Sequence, residues 1–348
     1  TMSPFWISNQ ASGTATLYSV NPTTNQANIV HLVVPITNQG TPPAPPNPTT
    51  NGPTGQVAIG APGITTVSTD FPVGTTPGMT AKADFAFANI DGSISAWGGV
   101  SPSRIEATVL GASFTGLAIG NLPNGGAAQL YAADQNSGNI DVFNNKWQMT
   151  GTFSDPNFAK FPAGYAAFNV QNLSVNGTQT LFVTYANQLT TGGIVDEFKT
   201  DGTFIKTLIN DTAGVNLAAP WGLAIAPAGW GKFSGDLLVG NNNPNSAGLT
   251  EINAYNLTNG LWQGTLTLDT GQPFSETELW ALSFGSGSSK GGSMDTLYFT
   301  AGLDNNTNGL IGAISSVPEP SSALLGLIAL GVVAGGWRWS NRRRSARS

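Results

Sequence analysis

One unit recurs six times along this chain and limits the folds that the chain can adopt. Each copy consists of a short apolar strand that ends in Asn, Asp or a small residue, a Gly-containing turn, and a second strand. The six copies begin at Phe5, Asp84, Gln129, Thr180, Asp236 and Thr296. Most second strands alternate apolar and polar residues, which is the period of a strand with one buried face. The repeat therefore predicts six β-hairpins.

Further strands flank the hairpins on both sides. A mostly apolar segment precedes five hairpins, as expected for an inner strand that is buried on both faces. These inner segments span 53–60, 114–120, 165–172, 220–227 and 279–285. A last strand follows five hairpins and starts at Ala27, Ala107, Trp147, Thr203 or Leu261.

Four-stranded units that repeat every ~45–60 residues without helical segments predict an all-β fold, the six-bladed β-propeller. We label the strands of each blade A to D from the central channel outward. Blade 1 then lacks an A strand and blade 6 lacks a D strand. We expect a segment upstream of Thr1 to supply both strands and a signal peptide, so that residues 1–316 are an N-terminally truncated propeller. A pair of β-sandwiches is the alternative, and the similar endings of the inner segments favour the propeller.

Composition excludes several function classes. Only 9% of the residues are charged, there is no cysteine, and His31 is the single histidine. Thiolate metal sites, cysteine nucleophiles and multi-His metal sites are therefore ruled out. Residues 1–316 carry eight Lys+Arg and eighteen Asp+Glu, a net charge of −10. Such a surface is unsuited to nucleic acid, which is bound by basic surfaces.

The end of the chain differs from the rest. Residues 321–337 contain no charge, and at ~1.5 Å per residue a helix of that length spans ~26 Å, enough for a thin hydrocarbon core. Trp337 and Trp339 suit the membrane interface. The arginines that mark the cytoplasmic side are Arg338, Arg342, Arg343 and Arg344. We therefore expect one transmembrane helix within a C-terminal segment, 317–348; a buried C-terminal helix is the alternative.

This ending resembles the PEP-CTERM sorting signal of bacteria. The resemblance rests on Val317, Pro318, Glu319 and Pro320, followed by the apolar segment and the arginines. It implies recognition by an exosortase, cleavage near the motif, an inner-membrane precursor, and passage to the cell surface, often alongside exopolysaccharide production. The body resembles a family of exported six-bladed proteins without an assigned reaction, judged by PWGLAIAP, YAADQNSGNIDVF, AGYAAFNVQN and LYFTAG. That second resemblance implies a fold and no function.

Polar residues collect in the loops predicted at one mouth of the channel. They are Asn9, Asn89, Asp91, Asp134, Asn136, Tyr185, Asn241, Asn242, Asn243, Asp304, Asn305 and Asn306. Such oxygen donors suit a calcium site or a sugar-binding rim. The alternative is turn chemistry, because tight hairpins favour Asn, Asp and Gly.

Four inner-strand residues are further candidates for ligand binding. Asn169 and Gln171 alternate on one inner strand and are expected to face the channel, as Asn residues do in calcium-dependent propeller hydrolases. Alternatively, the two amides bond neighbouring backbone. Trp221 and Trp280 occupy equivalent positions, where they would form a sugar-stacking platform or pack between blades.

The sequence thus predicts a binding or matrix protein associated with exopolysaccharide. The other inner strands show no inward acids, which argues against hydrolysis. A calcium-dependent, lactonase-like hydrolase is the alternative. We expect no cofactor, with calcium as the alternative. The expected partners are an exosortase, the inner membrane in passing, and exopolysaccharide, with no nucleic acid.

Overall fold

The computed structural model describes residues 4–39, 51–76, 78–187, 189–244, 250–303 and 308–316. The strands within these residues are β1 (Phe5–Asn9), β2 (Thr14–Val20), β3 (Ala27–Pro35), β4 (Pro53–Ala58), β5 (Pro72–Thr76), β6 (Met79–Lys82), β7 (Phe85–Asn89), β8 (Ser93–Trp97), β9 (Arg104–Thr108), β10 (Phe114–Asn121), β11 (Ala128–Asp134), β12 (Ile140–Phe143), β13 (Met149–Phe153), β14 (Ala166–Val175), β15 (Thr178–Ala186), β16 (Gly193–Phe198), β17 (Phe204–Asp211), β18 (Pro220–Ile225), β19 (Leu237–Asn241), β20 (Ile252–Tyr255), β21 (Trp262–Thr265), β22 (Leu279–Phe284), β23 (Thr296–Leu303) and β24 (Asn308–Ser315). Short 3-10 helices lie at Pro123–Gly125, Phe158–Lys160 and Gly231–Phe233.

The strands form the six antiparallel blades that the repeat predicts. Blades 2 to 5 are four-stranded sheets in the orders β4-β7-β8-β9, β10-β11-β12-β13, β14-β15-β16-β17 and β18-β19-β20-β21. Blades 1 and 6 are three-stranded, β1-β2-β3 and β22-β23-β24. The all-β six-bladed propeller is therefore confirmed. Within the described residues, blade 1 has no strand at the A position and blade 6 has none at the D position. Large side chains such as Phe87, Tyr131, Tyr185 and Phe198 are fully buried in the blades.

The outer strand of blade 2 differs from the prediction. We expected it to start at Ala107, but β9 spans Arg104–Thr108 and pairs Ala96 with Arg104. The apolar residues after it instead form a turn, in which Leu110 is 87% exposed and Gly111 has φ +82°. The apolar residues from Ala107 onward suggested the wrong start. An outer strand with an exposed face can contain charged residues, so β9 includes Arg104 and Glu106.

The hairpin formed by β5 and β6 was not predicted. It is inserted between the A and B strands of blade 2. It connects blade 2 to blade 3 by hydrogen bonds. Phe71 N–H donates to the Asn145 carbonyl (2.8 Å), and the Trp147 indole N–H donates to the Pro72 carbonyl (2.8 Å). Our placement of Trp147 in an outer strand was therefore wrong. It has φ +64°, lies in the turn before β13, and packs edge-on against Phe71.

Neighbouring blades approach each other most closely at glycines on the inner strands. A β-carbon at Gly116 of β10 would lie 2.2 Å from Asn169 Oδ1, and one at Gly222 of β18 would lie 2.2 Å from the Trp280 carbonyl oxygen. Gly55 of β4 meets the β10 backbone at a similar distance. Glycine is needed at these positions because any side chain would collide with the next blade.

The ring closes between blades 6 and 1 through loop and side-chain contacts. Val20 at the end of β2 receives a backbone hydrogen bond from Gly292 (3.0 Å) and donates one to Lys290 (2.9 Å). The Tyr298 hydroxyl donates to Asn25 Oδ1 (2.7 Å), and the Tyr298 ring packs against Phe5 (4.8 Å between centroids).

Replacing Gly222 by Ala tests the close approach of blades 5 and 6. We expect a loss of about 1–3 kcal/mol in the free energy of unfolding, because the new methyl group overlaps the Trp280 carbonyl. Gly309→Ala on β24 is the matched control, since a β-carbon there meets open space. The measurement is urea unfolding of both variants. Equal stability of the two variants would contradict the packing described here.

Candidate functional site

Two of the predicted loop residues hold the turns at one mouth of the channel. Asp134 Oδ1 accepts backbone hydrogen bonds from Ser113 (2.8 Å) and Asn136 (3.0 Å). Asn241 Oδ1 accepts from Ala218 N–H (3.0 Å), while its amide donates to a neighbouring carbonyl. Both side chains are at least 96% buried. Each side chain connects the end of a B strand to the loop that precedes the inner strand of the same blade. These two residues therefore stabilise turns, as our alternative interpretation expected.

Asn169 and Gln171 are directed at the next blade. Asn169 Nδ2 donates to the Trp221 carbonyl (2.7 Å), and Gln171 Nε2 donates to the Leu223 carbonyl (2.7 Å). Gln171 Oε1 also accepts from Leu223 N–H (3.3 Å). Two amides of β14 are thus bonded to the backbone of β18, which is the arrangement of our alternative interpretation.

Trp221 and Trp280 lie within the channel because of irregular pairing at the start of the inner strands. The pairing register shifts between Pro220 and Leu223 in β18, and between Leu279 and Leu282 in β22. Such bulges turn side chains in new directions. The Trp221 indole N–H donates to the Thr115 carbonyl of blade 3 (3.0 Å), two blades away. The Trp221 ring therefore crosses the channel.

A third aromatic residue completes this cluster. Phe168 of β14 packs 6.3 Å from Trp280, and the rings of Trp221 and Trp280 meet edge to face at 5.8 Å and 80°. We call these three residues the aromatic cluster. Because the two indoles are nearly perpendicular and partly buried, they do not form one flat surface for a sugar ring.

An open cavity lies among the inner strands of blades 4 to 6. Its volume is about 460 Å³, and it is mainly apolar. Its lining includes Gln171, Leu173, Ser174, Leu282 and Phe284. Nothing in the hairpin repeat points to this cavity, because it forms only where three inner strands converge.

Sequence reasoning also missed a buried pair of acids between blades 3 and 4. Asp196 of β16 is fully buried, and Asp155 lies in the loop above it at 2% exposure. The two carboxyl groups lie close enough for Asp155 to affect the ionisation of Asp196. Thr207 Oγ1 donates to Asp155 Oδ2 (3.3 Å), and neither carboxyl oxygen of Asp196 has a hydrogen-bond partner among the described residues. The sequence offered one sign of this pair, an acidic residue at a position of a C strand that faces the core. Asp196 occupies such a position because it pairs with the buried Val183.

Burial governs the ionisation of this pair. The loss of solvent, together with the neighbouring Asp155, raises the pKa of Asp196 to about 8, while Thr207 opposes the shift. Two adjacent buried carboxyl groups are stable together only while one of them is protonated. Asp141, at the equivalent position of blade 3, has a pKa raised to about 6 by burial and by the charge of Asp134.

Metal ligands are sparse in the described part of the chain. It contains no group of three or more His, Cys, Asp or Glu side chains placed to hold a metal ion. Three of the predicted calcium or sugar ligands, Asp304, Asn305 and Asn306, lie outside the described residues.

The predicted sorting segment, residues 317–348, also lies outside the described residues. None of the helices in the described ranges is long and apolar enough to cross a membrane. The predicted span at 321–337 is untouched by that finding.

Comparison with protein families identifies the end of the chain. Residues 316–344 match the PEP-CTERM protein-sorting motif. The molecule is thus a six-bladed β-propeller, and it carries a C-terminal PEP-CTERM sorting signal, as the resemblance suggested. The signal implies exosortase processing, export and passage to the cell surface.

Other comparisons concern the body. An uncharacterized protein of Acanthamoeba polyphaga mimivirus is 30% identical over 202 residues, which cover 53% of this chain and 45% of that protein. The Dos1 propeller has a TM-score of 0.47 at 8% identity, covering 92% of this chain and 76% of its own. A putative 6-phosphogluconolactonase from Bacteroides uniformis has a TM-score of 0.46 at 14% identity, covering 80% and 70%. The chain thus spans less than half of the curated relative it matches.

Replacing Asp196 by Asn tests the buried acid pair. Between about pH 4 and pH 8, folded Asp196 keeps a proton that the unfolded chain releases, so stability falls as pH rises through this range. Asn cannot ionise, and we expect it to remove a slope of up to about 1.4 kcal/mol per pH unit. The measurement is urea unfolding at pH 5 and pH 8, with the exposed Asp295→Asn as control. An unchanged slope in the Asp196 variant would refute the assignment.

Proposed function

We propose that this protein is exported, processed at its PEP motif, and acts at the cell surface as a propeller that binds exopolysaccharide. The observation that carries the proposal is the position of the sorting signal. The last described strand, β24, ends at Ser315, and the sorting match starts at residue 316. Cleavage near the PEP motif therefore leaves all six blades intact, so that the propeller is the delivered part.

The chemistry of the inner strands favours binding over catalysis. The five inner strands β4, β10, β14, β18 and β22 carry no titratable side chain among their residues. General acid–base catalysis requires such a group within reach of the substrate. A catalytic calcium ion would be held by amide oxygens, and Gln171 Oε1 already accepts a hydrogen bond from Leu223 N–H of blade 5 (3.3 Å).

Processing can be followed with an epitope tag at the C-terminus. We expect the mature surface protein to lose the tag, whereas Glu319→Ala should keep it and remain in the inner membrane, because the motif that is recognised is broken. Ser321→Ala, just outside the motif, is the control and should be processed normally. A tag that persists on the mature surface protein would contradict processing at this site.

Assays of exopolysaccharide binding and of hydrolysis, run on the same protein, distinguish a binding protein from an enzyme. The released protein should sediment with exopolysaccharide, and it should hydrolyse neither lactone nor phosphoester substrates with or without calcium. Asn169→Ala should lower stability and leave exopolysaccharide binding by the folded fraction unchanged, because its amide bonds two blades. Calcium-dependent hydrolysis that disappears in Asn169→Ala would instead establish the lactonase-like alternative.

A further inference from the structure

A large open cleft lies on the outer side of blade 2, away from the channel. Its volume is about 630 Å³, within the range of small-ligand sites. The lining comes from three places: the connection into β9 (residues 100–106), Gly74 of β5, and Thr37 after β3. The cleft therefore exists because the inserted hairpin and the outer strand of blade 2 meet beside blade 1.

This cleft holds Arg104, the single arginine of residues 1–316. Among the described residues the ion pairs are Lys146–Asp70 and Lys206–Glu197, and neither includes Arg104. No hydrogen bond to a described residue occupies its guanidinium group, although the planar fork of an arginine is suited to grip a carboxylate with two parallel hydrogen bonds. The charge of Arg104 acts on Glu106, which lines the same cleft.

The arginine side chain lies beside Gly74 of β5 and is exposed. A β-carbon at Gly74 would lie 3.5 Å from Nε and 3.6 Å from Cζ, which is ordinary van der Waals contact. The guanidinium group is therefore accessible to a ligand in the cleft.

The Ser101 hydroxyl near Arg104 is exposed. Ser101 Oγ accepts from the Trp97 indole N–H (3.3 Å), and its O–H donates to no other described residue. Ser103 Oγ accepts from Thr37 N–H (2.9 Å), and Ser103 is buried, so its hydroxyl is not accessible to a ligand. Beside them, Val100 is 41% exposed and gives the cleft an aliphatic patch.

Glu106 adds a carboxyl group on the same face of β9. Burial raises its pKa to about 7, against the opposing effect of Arg104. Near neutral pH it is therefore partly protonated. In that form it can exchange hydrogen bonds with a ligand hydroxyl and does not cancel the charge of Arg104.

We propose that the Arg104 cleft binds a carboxylate-bearing sugar of an acidic polysaccharide. The carboxylate accepts two hydrogen bonds from Arg104, the ring packs on Val100 and Pro102, and a sugar oxygen accepts from Ser101. This inference rests on the proposed function and names the site and the ligand class for it. A neutral glycan would leave the guanidinium group without a partner.

The test titrates the full-length protein with tetragalacturonate and with its carboxyl-reduced, uncharged counterpart. Tetragalacturonate should bind at least tenfold more tightly, and raised salt should weaken it. Arg104→Gln should lose that advantage and bind both compounds with equal affinity. Arg104→Lys keeps the positive charge but not the planar guanidinium group. Its affinity for tetragalacturonate should lie between those of the wild type and Arg104→Gln. Lys199→Gln removes an exposed cation elsewhere and should leave both affinities unchanged.

A second variant blocks the cleft while keeping the arginine. Gly74→Leu fills the space beside Arg104 and should abolish tetragalacturonate binding, with unchanged thermal unfolding as the check on its fold. If Arg104→Gln keeps wild-type affinity while exopolysaccharide still binds, the cleft is the wrong site and the proposed function stands. If the wild-type protein binds no polysaccharide, both proposals fail. If tetraglutamate competes with equal affinity, the ligand is an acidic peptide and the assignment to sugars is wrong.

Discussion

The close packing of inner strands around the channel is the constraint on which the rest of this structure depends. Six sheets can converge on one axis only if the inner strands of neighbouring blades pack closely. Gly116 and Gly222 allow this close approach because they have no side chain. Blade 4 has Asn169 at the corresponding place, and its amide bonds the blade 5 backbone. The amides of Asn169 and Gln171 on β14 thus hold blades 4 and 5 together.

A second set of contacts fixes the loops that lead into each blade. In blade 5, buried Asn253 donates to the Asn216 carbonyl (2.9 Å) of the loop that enters the blade. Asp196 occupies the same position in blade 4, beside Asp155 of the entering loop. An amide is neutral at any pH, whereas two adjacent buried acids are stable together only while one carboxyl group keeps its proton. The two blades therefore differ in how their stability responds to pH.

The sequence was sufficient for the repeating parts of the fold and insufficient for its exceptions. The blade number and the positions of the inner strands followed from the hairpin repeat, because strand burial dictates a residue pattern. The β5–β6 hairpin and the start of β9 were missed, since an insertion has no counterpart in other blades and an exposed outer strand has no apolar run. Asn169 was singled out correctly as unusual, but only the structure shows that its partner is the Trp221 carbonyl. The sequence did not single out Arg104, because the cleft around it is formed by segments that are distant along the chain.

The inner strands build the ring, and we propose that the outer side of blade 2 meets the ligand. Hydrogen–deuterium exchange of the full-length protein, with and without tetragalacturonate, distinguishes these two regions. We predict new protection in residues 97–106 and around Gly74, with exchange unchanged in β14, β18 and β22. New protection in those inner strands, with none in residues 97–106, would contradict the account and place the binding site in the channel.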